Sequence, residues 1–165
     1  MHSIDFGKSG MQVPAVAVGC MRIGLGCMRL SGLSEKEANH YLNTCLELGV
    51  NFFDHADIYG GGKSEEVFGK AISPSMREKV FIQTKCGIRK GLFDFSYEHI
   101  VNSVDGSLKR LGTDYIDIYQ LHNPAFCPKP GGEDGLYDAA LEAKKKGYIR
   151  HIGITNHRIM LAHEA

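Results

Sequence analysis

The sequence predicts an α/β fold built on a parallel β-sheet, and three features support this prediction. Short apolar segments typical of buried strands alternate with longer segments in which apolar residues recur at helical spacing. The helical segments begin at capping residues and end at glycines. Five core strands can be counted in the alternation, and connections of this kind place successive strands parallel in one sheet.

Local signals justify the elements of the first half of the chain. The Gly7-Lys8-Ser9-Gly10 segment separates two short extended stretches and is typical of a hairpin. Ser34 and Glu37 have the spacing of a capping box, and Gly49 is placed to end the helix that follows. The predicted elements are a hairpin at 3–14, a fully buried strand at 15–18, a helix from 34 to 49, a strand at 51–54 and a helix at 64–72.

The second half repeats the same signals. Ser96 is a helix-capping residue at the start of a segment with apolar residues on one face, and Gly112 follows that segment. Gly147 ends a later helix in the same way. The predicted elements are a strand at 79–85, a helix from 96 to 112, a strand at 115–121, a helix at 136–146 and a strand at 149–154.

The composition argues against several classes of binding partner. Lysine plus arginine equals aspartate plus glutamate at 19 each, so no overall basic field favours nucleic acid or an anionic membrane. The apolar runs are too short to span a bilayer, and residues 1–5 lack the pattern of a signal peptide. We therefore expect a single domain over residues 1–165, located in the cytoplasm, that binds a small molecule.

The five cysteines are an odd number and contain no Cys-x-x-Cys pair, which argues against a disulfide framework or a thiolate metal site. We interpret them as reduced thiols that mostly pack in the core. Cys86 directly follows Lys85, so a reactive thiolate beside a cation is an alternative there. Buried packing is the favoured interpretation.

Polar residues end four successive predicted strands, and this pattern predicts a site. The four are Asp54, Lys85, His122 and Asn156, and Tyr59 follows the first of them on a loop. The carboxyl ends of strands in a parallel barrel converge on one face, where catalytic groups are carried. Strand ends are also polar simply because they meet water. Four different chemical groups in the same position favour the functional interpretation.

These side chains suit proton transfer to an oxygen. A free phenol has a pKa of about 10 and becomes a useful acid only when nearby positive charge stabilises its phenolate. Lys85 would supply that charge to Tyr59, and Asp54 would keep the lysine protonated. A hydrogen bond from His122 would orient the substrate oxygen. Such a set protonates a carbonyl oxygen when hydride reaches the carbonyl carbon, and a cofactor must supply the hydride.

Five segments, in order along nearly the whole chain, resemble the aldo-keto reductase family. They are Phe53-Asp54-His55-Ala56-Asp57-Ile58-Tyr59-Gly60, Thr84-Lys85, the Ser107–Asp117 connection, Leu121-His122 and Gly153-Ile154-Thr155-Asn156-His157.

The resemblance implies a TIM barrel with NADPH as hydride donor, a small carbonyl compound as substrate, and a catalytic tetrad of Asp54, Tyr59, Lys85 and His122. It further implies that Thr155 and Asn156 contact the nicotinamide carboxamide and that Met21 lines the nicotinamide pocket.

The sequence departs from this family at its C-terminal end. The printed chain stops at Ala165, before the later strands that carry most contacts to the cofactor phosphates and adenosine in the family. We therefore expect about the first five β/α units of a (β/α)8 TIM barrel, preceded by a β-hairpin. We expect a fragment or truncated product, with an exposed sheet edge that favours homo-oligomers.

Two alternatives to a reductase stay open at this point. The first is a non-catalytic partial barrel that binds a partner or associates with itself. The second, less favoured, is a metal-dependent barrel hydrolase using His55, Asp57 and His122. We predict no metal site, because the His-x-His of a first strand in such hydrolases is absent.

Overall fold

The structure is a computed structural model that describes residues 1–22, 33–89, 91–124 and 135–155. Its strands are β1 (Ser3–Asp5), β2 (Gln12–Pro14), β3 (Val18–Gly19), β4 (Phe52–Asp54), β5 (Phe81–Cys86), β6 (Ile88–Arg89), β7 (Leu92–Phe93), β8 (Ile116–His122) and β9 (Ile149–Thr155). Its α-helices are α1 (Glu35–Glu47), α2 (Lys63–Ala71), α3 (Pro74–Arg77), α4 (Tyr97–Leu111) and α5 (Leu136–Lys145). One 3-10 turn, Cys20–Arg22, follows β3.

Among the described residues, the main sheet has five parallel strands in the order β3-β4-β5-β8-β9, as the sequence predicts. Non-adjacent numbers in this order reflect the small antiparallel ribbon of β6 and β7, which lies outside the main sheet. Because every strand of the sheet runs the same way, the carboxyl ends of all five lie at one edge. The fold is α/β and covers only part of a barrel.

Helix boundaries follow from capping groups close in sequence. Ser34 and Glu37 form both hydrogen bonds of the predicted capping box at the start of α1. Ser96 accepts a hydrogen bond from the His99 N–H at the start of α4, and Gly112 ends that helix with a φ of +62°. Each satisfies backbone groups that a helix end would otherwise leave without partners.

Side chains of the sheet alternate between two cores. One set, which includes Phe53 and Ile82, packs under the helices against Phe68 of α2 and Ile100 of α4. The other forms a small cluster of Val13, Phe52 and Ile118, with Phe6, Met11 and Phe81 packed against it. Since Met11, Val13 and Phe6 belong to the predicted N-terminal hairpin segment, that segment covers the amino-terminal end of the inner face, opposite the end where Asp54 lies.

Two parts of the fold differ from the prediction. Val18 and Gly19 form the first core strand, and Ala15, Val16 and Ala17 are exposed instead of buried. These three residues precede the segment of β3 that pairs with β4, so the sheet and its helices do not bury them. The helix α3 and the β6–β7 ribbon are additional elements that local patterning did not predict.

A buried aspartate clamps three elements together near the amino-terminal ends of the strands. Asp117 on β8 is 1 % exposed and accepts hydrogen bonds from Arg77 at 2.8 Å, from the Ile82 N–H at 3.0 Å and from Arg150 at 3.1 Å. Both guanidinium groups also lie 3.9 Å from the centre of the Tyr115 ring. Asp117 of β8 thus joins three other elements, α3, β5 and β9.

No helix within the described ranges combines the length and apolar character needed to cross a membrane.

Candidate active site

The predicted ion pair between Lys85 and Asp54 is present at the carboxyl edge of the sheet. The Lys85 ammonium donates to Asp54 Oδ1 at 2.6 Å. The lysine side chain is 7 % exposed and the aspartate side chain 25 % exposed, so the pair is largely withdrawn from water. The parallel pairing of β4 with β5 brings these strand-end residues side by side, although they are 31 positions apart in sequence.

The Lys85 ammonium has an acceptor for each of its three hydrogens. Besides Asp54, it contacts the His55 carbonyl oxygen at 2.6 Å and the Tyr59 hydroxyl oxygen at 3.3 Å. An ammonium group cannot accept a hydrogen bond, so the Tyr59 oxygen is the acceptor in their contact. The phenolic proton of Tyr59 is therefore directed away from the lysine and is available to another acceptor.

Backbone hydrogen bonds to β5 hold the start of the loop that carries Tyr59. The His55 N–H donates to the Gln83 carbonyl at 2.8 Å, and the Asp57 N–H donates to the Lys85 carbonyl at 3.0 Å. These bonds continue the ladder between β4 and β5 beyond the last residue of β4. They fix the start of the loop, which places the Tyr59 hydroxyl beside the Lys85 ammonium.

His122 is the last residue of β8, and its ring faces that of Tyr59. The two ring centroids are 6.4 Å apart, and the ring planes make an angle of 84°. All four predicted catalytic residues thus lie along the carboxyl ends of neighbouring strands. An oxygen held between the phenol and the imidazole could accept hydrogen bonds from both.

Gln83 is a member of this group that sequence reasoning missed. Its side-chain amide donates to Asp54 Oδ1 at 2.6 Å, so this carboxylate oxygen accepts from both Gln83 and Lys85. Gln83 lies two positions before Lys85 on β5, and alternate residues of a strand point to the same face. That spacing is the sequence signal that could have identified it.

The predicted cofactor residues lie at the same edge where they are described. Met21 follows β3 and is 48 % exposed, and Gly19 of β3 pairs with Asp54 in register. Thr155 ends β9 opposite His122, and its hydroxyl donates to Asn123 Oδ1 at 3.3 Å. Asn156 lies outside the described residues. Met21 and Thr155 therefore flank the strand-end group on its two sides.

A second cluster of charged side chains lies outside this group, between α2 and α4. Glu65 is fully buried and accepts hydrogen bonds from the Arg110 guanidinium at 2.7 Å and from the Thr84 hydroxyl at 2.6 Å. Burial, together with the negative charge of Glu65, raises the pKa of Asp57 to about 7. Asp57 and Arg110 line a cleft of about 620 Å³ that also contacts His99.

The structure separates the residues of the metal-site alternative. The His55 ring is fully buried and contacts Ser64 and Phe68, whereas Asp57 lies in the cleft beside Arg110. Among the described residues, no three histidine, cysteine, aspartate or glutamate side chains are grouped as a metal ion would require. Metal-assisted hydrolysis therefore has no support from the geometry of these residues.

Cys86 does not have the surroundings of a reactive thiol. Its side chain is fully buried, and burial raises its pKa well above the ordinary value. Cys20, Cys45 and Cys86 are the free cysteines among the described residues, and all three are buried. Packing is the role that this burial supports.

Comparison with known proteins identifies the family. The model of the Aldo/keto reductase family matches residues 22–165. The chain is 36 % identical over 149 residues to the uncharacterized oxidoreductase YcsN of Bacillus subtilis, covering 82 % of this chain and 49 % of that protein. It is 36 % identical over 155 residues to L-galactose dehydrogenase of Arabidopsis thaliana, covering 90 % of this chain and 46 % of that protein.

Solved structures agree with the sequence relatives. The holo form of the aldo-keto reductase AKR11C1 from Bacillus halodurans superposes with a TM-score of 0.82 at 34 % identity, covering 99 % of this chain and 53 % of that one. The chain thus spans about half the length of the relatives that it matches. Since the family model extends over most of the chain and the fold agrees, the protein belongs to the aldo/keto reductase family of oxidoreductases.

Proposed function

We propose that this chain supplies the residues that transfer a proton in an NADPH-dependent carbonyl reductase, with Tyr59 as the general acid. The observation that supports the proposal is the contact of the Lys85 ammonium with both the Asp54 carboxylate and the Tyr59 oxygen. The arrangement holds a cation, on a lysine side chain that is 7 % exposed, beside a phenol. An aldehyde or ketone is the substrate class that uses such a proton donor.

The protein groups have separate tasks in the proposed reaction. When bound, the reduced nicotinamide supplies a hydride to the carbonyl carbon, and the electrons of the carbonyl π bond move to oxygen. Tyr59 donates its proton to that oxygen, which completes the alcohol. The Lys85 charge stabilises the phenolate that is left, and Asp54 holds the lysine in place. His122 donates a hydrogen bond that orients the carbonyl oxygen.

The described residues fit a nicotinamide ring at this edge. Met21 offers exposed apolar surface on one side of the strand-end group. On the other side, the Thr155 hydroxyl donates to Asn123 and keeps its lone pairs for an amide N–H. We infer that these two residues hold the nicotinamide and its carboxamide, and that Asn156 adds to this contact. We further propose a cytoplasmic setting, where NADPH is available.

Steady-state reduction of a panel of aldehydes and ketones tests the proposal, with NADPH consumption as the readout. The Tyr59→Phe variant keeps the ring but removes the acid, and we expect it to lose about 10²–10⁴-fold in kcat. Tyr41→Phe is a matched control, because Tyr41 is 41 % exposed on α1 and belongs to none of the contacts above. Unchanged turnover in Tyr59→Phe would rule out the assigned acid.

Calorimetry with NADPH distinguishes the reductase from the binding-protein alternative. A folded 165-residue chain that binds NADPH supports the reductase, and a folded chain that binds no NADPH but associates with itself in sedimentation supports the non-catalytic alternative.

A further inference from the structure

His55 is a fully buried residue that the proposed reaction does not use, yet it contacts the site directly. Its carbonyl oxygen accepts a hydrogen bond from the Lys85 ammonium at 2.6 Å. Its ring packs edge-on against Phe68, with centroids 4.6 Å apart, and its Nδ1 lies 3.0 Å from Ser64 Oγ. The position of this one residue therefore affects the cation beside Tyr59.

The hydrogen bonds of Ser64 determine where the His55 ring carries its proton. Ser64 has a single hydroxyl hydrogen, and it donates this hydrogen to the Cys20 carbonyl oxygen at 2.7 Å. A carbonyl oxygen can only accept, so the Ser64 oxygen must itself accept from the His55 ring. The ring is therefore the tautomer with hydrogen on Nδ1.

The ring is also held neutral. Burial, with a contribution from the positive charge of Lys85, lowers the pKa of His55 to about 3. A protonated imidazole would place a second buried cation beside the Lys85 ammonium. The ring therefore serves as a fixed hydrogen-bond donor and not as an acid or base.

These contacts connect the Met21 side of the site to Lys85. The Cys20 carbonyl precedes Met21, the Ser64 hydroxyl lies at the start of α2, and the His55 carbonyl binds Lys85. The order of contacts runs from the end of β3 through α2 and the end of β4 to β5. The ring contact and the carbonyl contact belong to the same residue, so loss of the ring contact removes one restraint on the carbonyl that binds the ammonium, beside the backbone bonds to β5.

We propose that His55 is a positioning residue that orients Lys85 against Tyr59, and that Ser64 fixes His55 and the Cys20–Met21 segment together. This inference rests on the proposed reductase function for its kinetic consequences. The inference that His55 positions the Lys85 ammonium does not depend on that function.

Two nearly isosteric substitutions separate positioning from packing. His55→Asn retains an N–H donor close to the place of Nδ1, whereas His55→Leu removes it. We expect the Leu variant to lose about tenfold to a hundredfold in kcat, because a small misplacement of a catalytic group is costly. Its fall in kcat at alkaline pH should move to higher pH, because a less firmly held Lys85 ammonium stabilises the phenolate less. The Asn variant should keep the pH profile of the wild type.

Ser64→Ala tests the contacts of Ser64 with the Cys20 carbonyl and the His55 ring. It frees both the Cys20 carbonyl and the His55 ring, so we expect it to weaken NADPH binding as well as lower kcat. In His55→Leu the bond from Ser64 to Cys20 survives, and NADPH affinity should stay within about twofold of the wild type. The inference is overturned if the Leu variant keeps the wild-type pH profile, or if the Asn variant loses as much as the Leu variant.

An NMR measurement tests whether His55 holds the Lys85 ammonium, and it needs no assay of enzyme activity. A buried ammonium with three acceptors exchanges its protons slowly, so the Lys85 signal should be visible in the wild type and in His55→Asn and lost in His55→Leu. A wild type without reductase activity would refute the proposed function while leaving this measurement decisive. If His55→Leu does not fold, His55→Gln replaces it, since glutamine carries its amide near the Nε2 position. Equal Lys85 signals in the Gln and Asn variants would overturn the inference.

Discussion

Replacing Asp54 with asparagine should destabilise the fold by removing the countercharge of a buried lysine. The Lys85 side chain is 7 % exposed, so the ammonium cannot recover the lost interaction from bulk water without moving. Breaking a buried ion pair by removing one partner typically costs about 3–5 kcal/mol. Asp54 is itself 25 % exposed, and asparagine still offers one acceptor oxygen. We therefore expect the lower end of that range, about 3 kcal/mol.

For a chain of this size, a loss of about 3 kcal/mol corresponds to a fall in Tm of about 6–12 °C. Thermal unfolding followed by far-ultraviolet circular dichroism measures this directly. The control is Asp54→Leu combined with Lys85→Met, which removes both charges and should recover most of the loss, because no buried charge then lacks a partner. The reasoning is refuted if Asp54→Asn unfolds within 2 °C of the wild type, or if the double variant is as unstable as the single one.

Three further changes test the charged cluster and one tight turn. Arg110→Met leaves the buried Glu65 carboxylate without its cation, so it should lose about 3 kcal/mol in urea unfolding. The pKa of Asp57 is raised to about 7 in the fold, so the native state holds the extra proton and its stability falls as pH rises from about 4 to 7. Asp57→Asn should therefore exceed the wild type in stability at pH 8 but not at pH 4.5, and equal pH dependence of both proteins would contradict this assignment. Gly87→Ala would place a Cβ in steric conflict with the Phe95 ring, at a φ of +113°, so it should lower Tm more than Gly91→Ala, where φ is +79° and the new Cβ has no atom within 4 Å.

Features that depend on neighbours in sequence could be predicted from the sequence. The capping box of Ser34 and Glu37 and the left-handed Gly112 involve groups within one helical turn of each other, so their residue types are sufficient to identify them. The row of strand-end residues was predictable for a related reason. Once the sheet is known to be parallel, Asp54 and Lys85 must lie at the same edge.

Features that depend on three-dimensional neighbours could not be predicted in this way. The contact of His55 with Ser64 spans nine positions and a loop, and the contact of Ser64 with Cys20 spans 44 positions. Either histidine or serine alone is an ordinary residue for its position. The exposure of Val16 likewise depends on where β3 begins to pair with β4 and not on its own apolar character.

The Asp117 clamp has a consequence at the opposite end of the sheet. Arg150 binds Asp117 near the start of β9, while Thr155 faces His122 at its end. Sliding β9 by one residue along β8 would send each of its side chains to the other face, and the clamp opposes that movement. From the Ile116–Ile149 pair to the His122–Thr155 pair is six residues, about 20 Å. A substitution of Arg150 is thus a remote means of misaligning Thr155, and its effect would reach the candidate cofactor contact without touching any residue there.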